Sequence, residues 1–138
     1  MRLLVIDAQG GGIGRQVVSA VKSKFPAMEI AAVGTNGTAS SAMLKAGADH
    51  AATGENAVIV GCRRADVIIG PIGIVIADSL HGEITPAMAA AVGQSMARRI
   101  LIPVNQCDNL VVGVSDYSVG RLVEAALAEL THMQEGIG

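Results

Sequence analysis

Aromatic side chains are almost missing from this sequence, with one Phe, one Tyr and no Trp in 138 residues. Proteins that stack single-stranded bases depend on such rings, so that class is disfavoured at once. A surplus of positive charge is missing too. Ten Lys and Arg stand against twelve Asp and Glu, for a formal net charge of −2, which leaves no basic stripe for a duplex. No nucleic-acid partner is expected. Cysteine is scarce: Cys62 and Cys107 lie far apart with no histidines spaced to join them, so neither a disulfide framework nor a metal site is indicated. Long apolar runs are also lacking. Asp7 ends the run that starts at Leu3, and the stretch from Val67 to Ala77 is interrupted by Gly70, Pro71 and Gly73. A spanning helix needs about 20 apolar residues, so the expectation is a cytoplasmic chain with reduced thiols and no membrane partner.

Small and aliphatic residues are abundant. Hydrophobic residues make up 51% of the chain and charged ones 16%, with 17 glycines, a balance that argues for a folded aliphatic core rather than disorder. The length suits one domain over residues 1–138.

Leu3 to Ile6 reads as a strand buried on both faces. After a glycine loop, Ile13, Val17, Val18, Val21 and Phe25 recur at helical spacing up to Pro26. Glu29–Val33 is a second strand, followed by a short helix capped by Asn36 or Thr38. A brief strand at His50–Ala52 leads to a helix capped by Thr53 and ending near Arg64. Asp66–Gly70 is the fourth strand. Thr85 and Pro86 start a helix reaching about Ser95, and Ile100–Val104 is the fifth strand. Leu110–Val114, too close behind it for a parallel crossover, reads as an antiparallel sixth strand at an edge. Asp116 or Ser118 then caps a last helix with Val119, Leu122, Val123, Ala126, Leu130 and Met133 inward. Repeated strand–helix alternation gives an α/β fold, a three-layer doubly wound Rossmann-like sheet of order 3-2-1-4-5-6.

The loop between the first strand and first helix reads Asp7-Ala8-Gln9-Gly10-Gly11-Gly12-Ile13-Gly14-Arg15. Glycines there let a phosphate approach bare amides at a helix N-terminus. Arg15 occupies the place of the third glycine in the dinucleotide fingerprint, and Arg15-Gln16 replaces the Lys-Ser/Thr pair of an NTPase loop. Gly12-Ile13-Gly14 resembles the end of the short-chain dehydrogenase loop, with Ala8 in place of its first glycine. The Tyr and Lys of that family, separated by three residues, have only Tyr117 and Arg121 to match them, and Arg cannot relay a proton as Lys does. A second loop poor in side chains, Gly70-Pro71-Ile72-Gly73, is expected across the crevice where the strand order reverses. At the end of the second strand stand neutral Thr35 and Asn36, where an NAD site carries an acid; with Arg15 nearby they favour NADP or another nucleotide.

Candidates for proton transfer are His81, Glu83 and Glu55, each also at home in a polar loop or a helix start. Asn105 and Cys107 follow the fifth strand, but no basic neighbour activates the thiol. His50 and His132 have no ligand-spaced companions. No charge appears from Ile84 to Ala97, so the Ala-rich helix Pro86–Met96 should be covered, in a homodimer by its mate.

Four blocks together carry a family resemblance: Val-Ile-Asp-Ala-Gln-Gly-Gly-Gly-Ile-Gly from Val5, Val-Gly-Thr-Asn from Val33, Ala-Thr-Gly-Glu-Asn from Ala52 and Ile-Gly-Pro-Ile-Gly from Ile69. The chain resembles an uncharacterised bacterial family of small Rossmann-like proteins, a domain of unknown function. The resemblance implies a nucleotide-type fold and supplies no catalytic residue. Three functions remain open: a binding or sensor protein for a nucleotide or another phosphate-bearing ligand, a small NADP-dependent oxidoreductase, or an interaction protein without a ligand.

Overall fold

The computed structural model describes residues 1–104, 108–115 and 118–136. Five strands, β1 (Arg2–Asp7), β2 (Glu29–Gly34), β3 (His50–Thr53), β4 (Val67–Pro71) and β5 (Arg98–Ile102), form one sheet in the order β3-β2-β1-β4-β5. Every pairing is parallel. The reversal of order lies between β1 and β4, as the strand–helix alternation predicts.

Period-two alternation divides the core into two layers. Leu3 and Val5 of β1 point to a cluster built with Val17, Val18 and Val21 of α1 (Gly12–Lys24), Met43 of α2 (Gly37–Lys45) and Val123, Ala126 and Leu130 of α5 (Val119–Gln134). Leu4 and Ile6 point the other way. Their cluster includes Val58 and Cys62 of α3 (Glu55–Arg64), Met88, Ala89 and Val92 of α4 (Pro86–Gln94) and Ile74 of a one-turn 3-10 helix, Ile72–Val75. Helices therefore cover both faces of the sheet.

Local chemistry sets several boundaries. Asn36 caps α2 by accepting the Ala39 amide at 2.9 Å, and Thr85 Oγ1 caps α4 by accepting the Met88 amide at 3.1 Å, with Pro86 at the first helical position. Thr53 does not cap α3: it ends β3, its hydroxyl 2.7 Å from that of Ser40, and Gly54 at φ 100° makes the turn instead. β5 lies two residues earlier than expected because Arg98–Ile102 pairs with Val67–Pro71, and Pro103 has no amide to extend a ladder. α4 ends at Gln94, where Ser95 turns away and donates to the Cys62 carbonyl at 2.7 Å.

The sixth strand is not found. Among the described residues, 110–114 form no ladder; Gly113 turns at φ 90°, Leu110 and Val112 are exposed, and Val111 and Val114 are only half-buried. Among the described residues the sheet therefore has five strands, all parallel. Ser118 stands at the start of α5 without a side-chain cap, while Asp116, Tyr117, Asn105 and Cys107 lie outside the described residues.

A Cβ on Gly70 would sit 2.5 Å from the Ile6 carbonyl oxygen, against backbone that cannot yield, whereas one on Gly93 in α4 would meet nothing. Gly70→Ala should therefore cost about 1–3 kcal/mol of stability, and Gly93→Ala should be neutral or gain up to about 1 kcal/mol. Urea unfolding of both variants checks the contrast; equal midpoints would contradict this packing.

Candidate functional site

Parallel strands put the loops after β1, β2 and β4 at one edge of the sheet, and a pocket of about 270 Å³ opens there. Gln9, Gly10, Gly12 and Ile13 line one side of it. Pro71, Leu80, Val104 and Val119 provide aliphatic walls. The glycines of the loop divide by purpose. Gly11 adopts φ 72° and packs its bare face against the α2 backbone at Ala39, and Gly14 fits against Met43 and Asp7. A Cβ added at Gly10 or Gly12 would meet nothing within 4 Å, so packing does not demand a glycine at either place. Among the described residues their amides have no acceptor.

Beneath the loop lies Asp7, at 4% exposure. Its Oδ1 accepts the Ala8 amide at 2.8 Å and its Oδ2 the Gly14 amide at 2.7 Å. The carboxylate thus takes an amide at the start of α1 that an incoming anion would otherwise use. Burial pushes its pKa above the usual carboxylate value; the amides of Gly14, Ala8 and Ile13 pull it down, and the Glu83 charge adds to the rise. Among the described residues every buried side-chain polar atom has a partner.

Glu83 arrives from the loop after the 3-10 turn. Its Oε1 accepts the Thr35 hydroxyl at 2.6 Å, the Asn36 amide nitrogen Nδ2 at 2.8 Å and the Gln9 backbone amide at 3.0 Å. Asn36 also donates to the Gln9 carbonyl at 3.0 Å. Partial burial works against the ionised form of Glu83, but the bonds from Thr35, Gln9 and Asn36 outweigh it and hold the group below its ordinary value, with His81 adding to the same effect.

The expected site residues therefore separate. Gly10, Gly12, Ile13 and Pro71 come together at the pocket, and Thr35, Asn36 and Glu83 form a cluster beside Gln9. Gly70 and Gly73 serve packing, against Ile6 and against Leu80 and Ser79, and Ile72 begins the 3-10 turn. Arg15 is exposed on α1, in an open groove it shares with Gly37, Thr38 and Lys45. His81 is exposed in a left-handed conformation. Glu55 sits at the start of α3, where it accepts the Thr85 hydroxyl at 2.6 Å. Cys62 is buried, with its thiol pushed up to about 11 by desolvation, which makes it a poor nucleophile.

A family model described as a domain of unknown function, DUF3842, matches residues 2–135. The chain belongs to that family. No curated protein matches it. Among solved structures, the chain is similar to a dodecameric FMN-dependent UbiX-like decarboxylase from Escherichia coli O157:H7, at 20% identity and a TM-score of 0.45, over 95% of this chain and 76% of that one. In this member of the DUF3842 family, no group of three or more His, Cys, Asp or Glu could hold a metal ion among the described residues. No helix among them is long and apolar enough to cross a membrane.

The residues that sequence reading missed are Asp7, Gln9 and Leu80. Asp7 left a trace, an acid closing an apolar strand directly before the glycines. Asp7→Ala strips the acceptor from two amides, and chemical denaturation should show a loss of about 1–3 kcal/mol; an unchanged midpoint would contradict the role.

Glu83 gives a pH signature. Its folded pKa lies below the ordinary 4.5, so its stabilisation is complete above 4.5 and is lost as pH falls through the lowered value. Asp7 has the opposite sign, its stabilisation declining as pH rises from 3.8 through its raised value. The stability gap between wild type and Glu83→Ala should hence shrink on acidification; a gap that widens would overturn the assignment.

Proposed function

We propose that the corner formed by Gly10, Gly12, Ile13 and Pro71 binds a nucleotide or another phosphate-bearing ligand, in a sensor or accessory role. One observation carries this reading: two glycines that packing does not require face a pocket at the switch point of the sheet, their amides without an acceptor among the described residues. Bare amides beside a helix N-terminus are the usual receivers of phosphate. With no aromatic ring lining the pocket among the described residues, Ile13, Leu80, Val104 and Val119 would hold the rest of the ligand by aliphatic contact. The buried Asp7 carboxylate favours a ligand with modest charge. Arg15 would act from the neighbouring groove.

An oxidoreductase reading has less support. Glu83 is tied down and ionised, and Glu55 is bonded to Thr85. No reaction is assigned.

A thermal-shift panel of AMP, ATP, NAD, NADP, FMN and coenzyme A tests the proposal. A ligand present at 100 times its Kd should add about 2.7 kcal/mol of stability. Gly12→Val, whose Cβ meets open space, should abolish the shift while leaving unliganded stability within about 1 kcal/mol. No shift with any compound, or a shift retained in Gly12→Val, would contradict it.

Self-association through α4 belongs to the same proposal. The outer face of α4 presents Ala87, Ala90 and Gln94, and Met96 just beyond it is fully exposed. Sedimentation should give a dimer that Ala90→Glu dissociates; a monomeric wild type would refute it.

A further inference from the structure

Dinucleotide-binding sheets of this order carry an acid at the end of the second strand, about 20 residues beyond the glycine loop, to accept the ribose hydroxyls. Here that place holds Thr35 and Asn36, and local sequence shows no carboxylate. The structure brings one in from elsewhere. Glu83, more than forty positions later in the chain, lays its carboxylate on both residues and on the Gln9 amide of the glycine loop. We infer that Glu83 is the ribose acceptor of this site, which selects a nucleotide with a free 2′,3′-diol over one with a 2′-phosphate. The inference rests on the glycine corner being the ligand site.

Three features of the structure support it. First, Oε1 takes all three donors, while Oε2 has none among the described residues. A carboxylate fixed through one oxygen leaves the other to accept from vicinal hydroxyls, in charge-assisted bonds. Second, Gln9 links the clusters: it lines the pocket beside Gly10 and Gly12, and its own amide is bonded to Glu83. Third, the placement of Glu83 belongs to the fold. Asp78, Leu80 and His81 all adopt positive φ, of 65°, 54° and 58°, which L side chains rarely do. The loop is nonetheless held, by burial of Leu80 and Ile84, by the Ser79 hydroxyl on the Gly73 carbonyl, and by the Asp78 amide on the Ile84 carbonyl at 2.7 Å.

Against a 2′-phosphate, Glu83 acts by like charge. The cation that would favour such a phosphate is Arg15, which lines the adjoining groove with Gly37 and Thr38. The two groups make opposite demands on the ligand, so one comparison separates them.

That comparison is calorimetric titration of the full chain with AMP, 2′-deoxy-AMP and adenosine 2′,5′-bisphosphate, for wild type, Glu83→Gln and Gly12→Val. Gln keeps a carbonyl oxygen for the three donors, so the variant should fold as wild type does. Wild type should bind AMP about tenfold tighter than either analogue, and Glu83→Gln should reduce the preference to about threefold or less. If wild type binds the bisphosphate or the deoxynucleotide as tightly as AMP, while Gly12→Val abolishes binding, the site stands and the role of Glu83 falls. If Gly12→Val binds as wild type does, or none of the three compounds binds wild type, the site reading fails and this inference with it.

Discussion

One carboxylate oxygen, Oε1 of Glu83, joins the loops that follow β1, β2 and β4. Its donors are a backbone amide from the glycine loop and two side chains from the end of β2. Each bond alone is modest, but bonds to a charged acceptor are stronger than neutral ones. Together they tie the loop that carries Glu83 to the glycine corner and to the end of the second strand. Without them, the Thr35 hydroxyl would lose its acceptor and the loop from Asp78 to Glu83 would lose its anchor at that end. The shape of the candidate site therefore depends on a contact between residues far apart in the chain.

Asp7 plays the complementary part from below. By accepting amides on both sides of the glycines, it closes the turn from β1 into α1. It also removes part of the positive end of the helix from any ligand. The two carboxylates give the corner an acidic character that glycine loops are not usually credited with. A phosphate there would meet the open amides of Gly10 and Gly12 and not the whole helix end. This is the physical reason for expecting a ligand of low charge.

Much of the fold was legible in the sequence because its signals are local. Leu3–Ile6 and Val67–Gly70 are apolar runs of strand length, Val17, Val18 and Val21 share a helical face, and Asn36 and Thr85-Pro86 are caps whose chemistry acts within three residues. Local pattern misleads where the sheet does not take the segment up. Leu110–Val114 has the composition of a strand, yet it forms no ladder among the described residues. The site was legible only in part. The loop was marked by its glycines, but which of them serve packing depends on what α2 and β1 place against them. Ala39 and Met43 explain Gly11 and Gly14; no packing contact explains Gly10 and Gly12. The missing acid of β2 could not be read at all, since Glu83 reaches it through a loop with three left-handed non-glycine residues.

If Gly10 and Gly12 form the floor of a ligand site, their amide resonances must respond when a ligand enters. Titration of the chain with AMP, followed at every backbone amide, tests this most directly. The Gly10 and Gly12 amides should shift saturably, together with those of Gln9 and Thr35. Saturable shifts confined to Ser19, Ser41 and Lys45 in the groove between α1 and α2, with Gly10 and Gly12 unmoved, would contradict it.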